Sequence, residues 1–84
     1  MSTTSFKKEI ARIYKEIDRI NDRLSKLDIA DPKYDSKYNA FMRSYDRHEY
    51  ILDALLEGLR NHEKKLLNEF ASSHANQSNT HPNL

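Results

Sequence analysis

The 84-residue chain carries 14 lysines and arginines against 13 aspartates and glutamates, so its net charge of +1 gives no general attraction to polyanions. It has no cysteine, which excludes disulfides and thiolate chemistry, and its one glycine and two prolines are too few for a β-rich fold. No apolar run approaches the roughly 20 residues of a membrane span, and no signal-peptide core is present. We therefore expect a cytoplasmic protein without membrane contact.

The first predicted element is a helix over residues 6–28, preceded by a frayed N-terminus at residues 1–5. Ser5 is the predicted N-cap, because its hydroxyl can accept a hydrogen bond from a free backbone N–H of the first turn. Large apolar residues then recur at alternating spacings of four and three, which is the heptad pattern of a helix that packs against another helix. These residues are Phe6, Ile10, Ile13, Ile17, Ile20, Leu24 and Leu27.

A short turn at residues 29–31 leads to a second predicted helix over residues 32–70. Asp31 is its predicted N-cap and Pro32 its first residue, where the missing N–H of proline has no cost. A turn this short makes the two helices antiparallel, and we expect Phe6 to lie opposite Leu55. The heptad positions of the second helix are Tyr34, Tyr38, Phe41, Tyr45, His48, Leu52, Leu55, Leu59, His62 and Leu66.

The two predicted helices differ in length. At about 1.5 Å per residue, the first spans roughly 33 Å and the second roughly 58 Å, so the far half of the second helix should lack an intramolecular partner. Isoleucine at both heptad positions of the first helix favours assemblies larger than two helices. We therefore predict an all-α, coiled-coil-like antiparallel helical hairpin that dimerises into a four-helix bundle. The predicted self-association or partner interface is Tyr50, Leu56, Leu59, His62, Leu66, Leu67 and Phe70.

Gly58, within the second predicted helix, has three interpretations. It can be a tolerated interior glycine, which costs about 1 kcal/mol relative to alanine. It can mark a close approach between the helices, or it can end the helix so that a short third helix folds back on the hairpin. From residue 71 to residue 84 the sequence is polar and aperiodic, which predicts a disordered tail.

The sequence contains few residues in arrangements that would support catalysis. His48 and His62 lie two heptads apart on one helix, roughly 21 Å at 1.5 Å per residue, so they cannot share a metal ion within a chain. They are interpreted as polar residues that fix the helix register, with a pH-dependent interface as the alternative. There is no glycine-rich phosphate loop and no nucleophile motif. We expect no enzyme activity, no cofactor and no metal.

The first helix also carries a basic stripe on its outer face. A stripe of this kind can follow a phosphate backbone, although acidic residues lie close by. It consists of Lys8, Arg12, Lys15, Arg19 and Lys26. The sequence thus favours a homodimeric protein–protein interaction module (an adaptor, a scaffold or a small inhibitor of a larger protein). The alternative is a small nucleic-acid-binding regulator that uses the basic stripe.

Overall fold

Two antiparallel helices form an elongated hairpin. The computed structural model describes the backbone of residues 1–78 and the side chains of residues 1–73. Helix α1 comprises Thr3–Ser25 and helix α2 comprises Tyr34–Ser78. The Cα atoms extend over 77 × 16 × 16 Å, so the molecule is a rod one hairpin wide. The predicted all-α hairpin with a longer second helix is confirmed.

The start of α1 differs from the prediction because Ser2, and not Ser5, is the N-cap. The Ser2 hydroxyl accepts a hydrogen bond from the Ser5 backbone N–H at 3.1 Å. Four consecutive hydroxyl residues, Ser2 to Ser5, can each cap a helix, and capping by the first of them adds a turn. Helix α1 therefore begins at Thr3, within the segment that was expected to fray.

The connection between the helices spans residues 26–33 and is longer than the predicted turn at residues 29–31. Two aspartates organise it: Asp28 Oδ1 accepts the Ala30 N–H at 2.9 Å, and Asp31 Oδ1 accepts the Lys33 N–H at 2.8 Å. Such local carboxylate bonds stabilise turns without glycine, and no described residue has a positive φ. Asp31 thus satisfies a backbone donor in the turn before α2, but the prediction of Asp31 as N-cap and Pro32 as first helical residue is wrong, because α2 begins at Tyr34.

Helix α2 also ends later than predicted. It continues beyond Phe70 to Ser78, so residues 71–78, which were assigned to the disordered tail, are helical. The remainder of that predicted tail, residues 79–84, lies outside the described residues. Gly58 lies within the continuous helix, and the short third helix considered as one alternative is therefore wrong.

The core lies in the middle of the hairpin. Among the described residues, the buried hydrophobic side chains are Ile13, Ile17, Ile20 and Leu52, with Ile13 only 1% exposed. Burial of each such side chain stabilises the fold by about 1.5–3 kcal/mol. Half-buried apolar side chains pack against the core cluster of Ile13, Ile17 and Leu52, namely Ile10, Tyr45, Ile51, Leu55 and Leu56. Two helices can enclose only a narrow strip, so most heptad residues keep part of their surface exposed.

The register of the hairpin differs from the predicted one at its open end. Phe6 packs against Gly58 and His62, which lie one to two turns beyond the predicted neighbour Leu55. The longer connection lets α1 lie about one turn further along α2 than a tight turn would. A Cβ atom placed on Gly58 would lie 2.8 Å from Cε1 of Phe6, so the glycine marks a close approach between the helices. This was the second of the three interpretations of Gly58.

Candidate interaction surface at the end of α2

Helix α1 covers α2 only as far as His62. All residues from 63 to 73 are exposed. Within this stretch Leu66 is 47% exposed, Leu67 is 66% exposed and Phe70 is 60% exposed. Steps of seven and four residues return to the same side of a helix, so Leu59, Leu66 and Phe70 share one face. We call Leu66, Leu67 and Phe70 the terminal apolar surface.

Three other residues of the predicted interface are partly covered by the hairpin itself. Leu56 packs against the core cluster, and Leu59 is half-buried. The His62 ring lies 5.8 Å from the Phe6 ring, centroid to centroid, at an interplanar angle of 43°. The expectation that this part of the second helix has no intramolecular partner is therefore wrong for Leu56 and His62, because α1 extends further than predicted.

Tyr50 lies on a different side of α2. It lies two positions before the buried Leu52, and a rotation of about 200° places it on the opposite side of the helix. Its side chain is 78% exposed, but the terminal apolar surface faces another direction. The structure therefore does not bring Tyr50 together with the leucines that the sequence grouped with it.

The two histidines are held separately. His48 is half-buried, and its Nδ1 lies 2.7 Å from the Ser44 carbonyl oxygen one turn earlier on the same helix. His62 contacts Phe6 at the open end of the hairpin. Their proposed part in a pH-dependent interface stays a prediction, since it concerns a second chain.

The basic stripe of α1 is largely paired with carboxylates on the same helix. Three of its five cations form ion pairs: Arg12 with Glu9 at 2.8 Å, Arg19 with Glu16 at 3.0 Å, and Lys26 with Asp22 at 3.0 Å. The hydrogen bond and charge of Glu9 raise the pKa of Arg12 above its usual value. Carboxylates three or four residues before each cation are the sequence signal for this pairing. The pairing weakens the field that the stripe would present to a phosphate backbone.

The same α2 segment has a polar side opposite the leucines. A shallow depression there is lined by Asn61, Lys64, Lys65, Asn68, Glu69, Ser72 and Ser73. All of these belong to one helix, so the depression has no second wall to enclose a small molecule. Among the described residues, no group of three or more histidines and carboxylates could hold a metal ion. No described helix is long and apolar enough to cross a lipid bilayer.

Comparisons with known proteins return no similar family model, curated protein or solved structure. The functional argument therefore rests on the hairpin itself. Large hydrophobic side chains are exposed along an extended molecule, and such exposure suggests that a partner binds it.

Proposed function

We propose that this protein is a non-enzymatic helical interaction module that self-associates through the terminal apolar surface. One observation carries the proposal: the apolar face of α2 continues with Leu66 and Leu67 where α1 no longer covers it. Covering each of these leucines would contribute up to about 1.5–3 kcal/mol from apolar burial, before the entropic cost of association. The helical shape of the surface fits another amphipathic helix.

A second copy of this chain is the occupant we favour. Homo-oligomers are usually symmetric. In an antiparallel two-fold pair, the terminal apolar surface of each chain would be covered by the terminal apolar surface of the other. A parallel pair in register is blocked, because the partner's α2 would lie along the face that α1 already occupies as far as His62. The pair would join two hairpins at their open ends. Lateral pairing into a four-helix bundle, as predicted from the sequence, is the competing arrangement.

The terminal apolar surface can be tested by comparing molecular mass over a concentration series by light scattering. We expect the wild-type mass to rise from that of the 9.9 kDa monomer towards twice that value. Leu66→Asp with Leu67→Asp should raise the dissociation constant at least tenfold, because two carboxylates would be buried in an apolar contact. The matched control, Asn61→Asp with Asn68→Asp, adds the same charge on the opposite side and should leave association unchanged.

Three outcomes would contradict the proposal. The first is a wild-type chain that stays monomeric at all concentrations. The second is equal weakening by the leucine and asparagine pairs, which would mean that added charge, and not loss of the apolar contact, disrupts the assembly. The third is a dimer that is insensitive to the leucine changes, which would favour lateral pairing.

The basic stripe does not support a second candidate function. Only Lys8 and Lys15 of its five cations stand outside the ion pairs described above, and both are exposed on a surface with carboxylates nearby. Two exposed lysines can neutralise few phosphates, so they would contribute little to binding a nucleic acid backbone.

A further inference from the structure

The terminal apolar surface and the footprint of α1 belong to the same face of α2. Leu52 lies in the buried core, Leu55 packs against that core, Leu59 is half-buried, and Leu66 is exposed. These residues follow one another at spacings of three, four and seven, so a helix that docks on Leu66 and extends towards the core meets α1. The first turns of α1 and an external helix would therefore compete for one continuous strip.

Residues 3–9, the first two turns of α1, contain one large apolar side chain that packs on this strip, that of Phe6. The preceding residues Ser2 to Ser5 carry only hydroxyl side chains, and Phe6 is the first large apolar residue of the heptad pattern within α1. The next is the half-buried Ile10, and full burial begins only with Ile13. Release of Phe6 would free the first two turns of α1 while the core keeps the rest of the helix in place.

The Phe6 ring occupies a site on α2 formed by Gly58 and His62, which we call its seat. The aromatic ring lies so close to the Gly58 backbone that a methyl group there would meet Cε1 at 2.8 Å and Cζ at 3.2 Å. The His62 ring borders it at 5.8 Å between centroids. Glycine in a helix interior weakens that helix, and here its missing side chain is what admits the ring.

We propose that the first two turns of α1 are an autoinhibitory segment, with Phe6 on Gly58 as its latch. Closed, the latch leaves only about one turn of apolar strip exposed, between Leu66 and Phe70. Open, the latch lengthens the strip to about three turns, from Leu59 to Phe70, which is enough for several successive anchors on a partner helix. The proposal rests on the proposed function, since it concerns regulation of the same surface.

Two substitutions of opposite size test the latch in the full chain. Phe6→Ala removes the ring, whereas Gly58→Ala fills its seat and forces the ring to move. Alanine at position 58 also strengthens α2, so a loss of overall stability cannot explain a shared effect of the two variants. Thr4→Ala is the control, because Thr4 is exposed in the same turn of α1. The double variant should behave like Phe6→Ala alone, since no ring remains for the added methyl group to displace.

Two readouts are compared, namely amide hydrogen exchange and the self-association constant from light scattering. We expect exchange at residues 7–10 to become at least tenfold faster in both single variants, while residues 13–20 keep their protection. We expect the dissociation constant of the self-associated form to fall at least fivefold, and this gain should disappear when Leu66→Asp and Leu67→Asp are added. Thr4→Ala should match the wild type in both measurements.

The outcomes separate the latch from the surface that it regulates. Unchanged exchange at residues 7–10 in both single variants would overturn the latch. Faster exchange with unchanged or weaker association would show an open segment that inhibits nothing, and would overturn the proposal while leaving the terminal apolar surface intact. Wild-type and variant chains that are all monomeric would overturn both proposals.

Discussion

At the scale of single residues, the Asp31 carboxylate makes the closest polar contacts in the connection between the helices. It accepts the Lys33 N–H at 2.8 Å and pairs with Lys37 Nζ at 2.6 Å. The hydrogen bond from Lys37, followed by that from the Lys33 backbone, lowers the pKa of Asp31 below its usual value. The charged form is thus favoured in the folded state. Its contribution to stability is present above the unfolded pKa of about 3.9 and is lost as pH falls through the folded value.

Lys37→Met should raise the pKa of Asp31 towards the usual aspartate value, because it removes the largest cause of the shift. Carboxyl carbon chemical shifts followed by NMR through the acid range measure this directly. Lys33→Met is the matched control: it deletes a lysine nearby but keeps the backbone N–H that Asp31 accepts, so the pKa should stay low. An equal rise in both variants would mean that general positive charge, and not the contact with Lys37, holds the carboxylate ionised.

At the scale of elements, the length of α2 without a break is the feature that creates the exposed surface. Tyr34–Ser78 is one helix, and its continuity through Gly58 places Leu66 and Leu67 beyond the start of α1. Had the chain turned at Gly58, a short third helix would have covered the hairpin and buried these leucines. The glycine instead serves a contact between helices and leaves the helix direction unchanged.

A distance between spin labels decides this point. The chain has no cysteine, so Asp35→Cys with Asn68→Cys gives two unique attachment sites at exposed positions. At 1.5 Å per residue a continuous helix separates these sites by about 50 Å, and pulsed electron resonance on spin-diluted samples should give a single distance near that value. A main distance of about half that length would show a helix that folds back at Gly58.

The sequence predicts the helices well and their ends less well, for local physical reasons. The spacing of Ile10, Ile13 and Ile17 indicates a helix with one buried face, and these residues do pack on α2. Ser2 and Ser5 are chemically equal as caps, so the pattern alone could not choose between them. The glycine-free connection depends on carboxylate bonds at Asp28 and Asp31, which are not visible in an apolar pattern. Because the connection is longer than predicted, Phe6 lies about one turn further along α2 than the sequence predicted.

The same shift limits how much of the candidate surface could be predicted. The exposure of Leu66 and Leu67 follows from the length difference between the helices, which survives a change of one turn. The exposure of Leu56 and His62 could not be predicted in this way. A shift of one turn in the position of α1 changes whether these two side chains are covered. Tyr50 lies on a different side of α2 from the leucines, as its sequence spacing from Leu52 already indicated, and its part in an interface stays a prediction.

At the scale of the whole molecule, the hairpin is a rod with a thin core and an apolar end. It is 16 Å wide, and side chains near its middle are buried while residues 63–73 are exposed. A protein of this shape has little interior from which to build an enclosed active site. The surface that we propose to be functional is the end of α2, where Leu66 and Leu67 are exposed beyond the start of α1.

Amide hydrogen exchange of residues 63–73 at low and high protein concentration tests this account most directly. Helical amides there lie beyond α1, so they should exchange fast in dilute solution and become at least tenfold slower as chains associate. Residues 13–20, already protected by the core, should not change. Exchange at residues 63–73 that stays equally fast while the mass doubles would place the contact elsewhere on the hairpin and contradict the account.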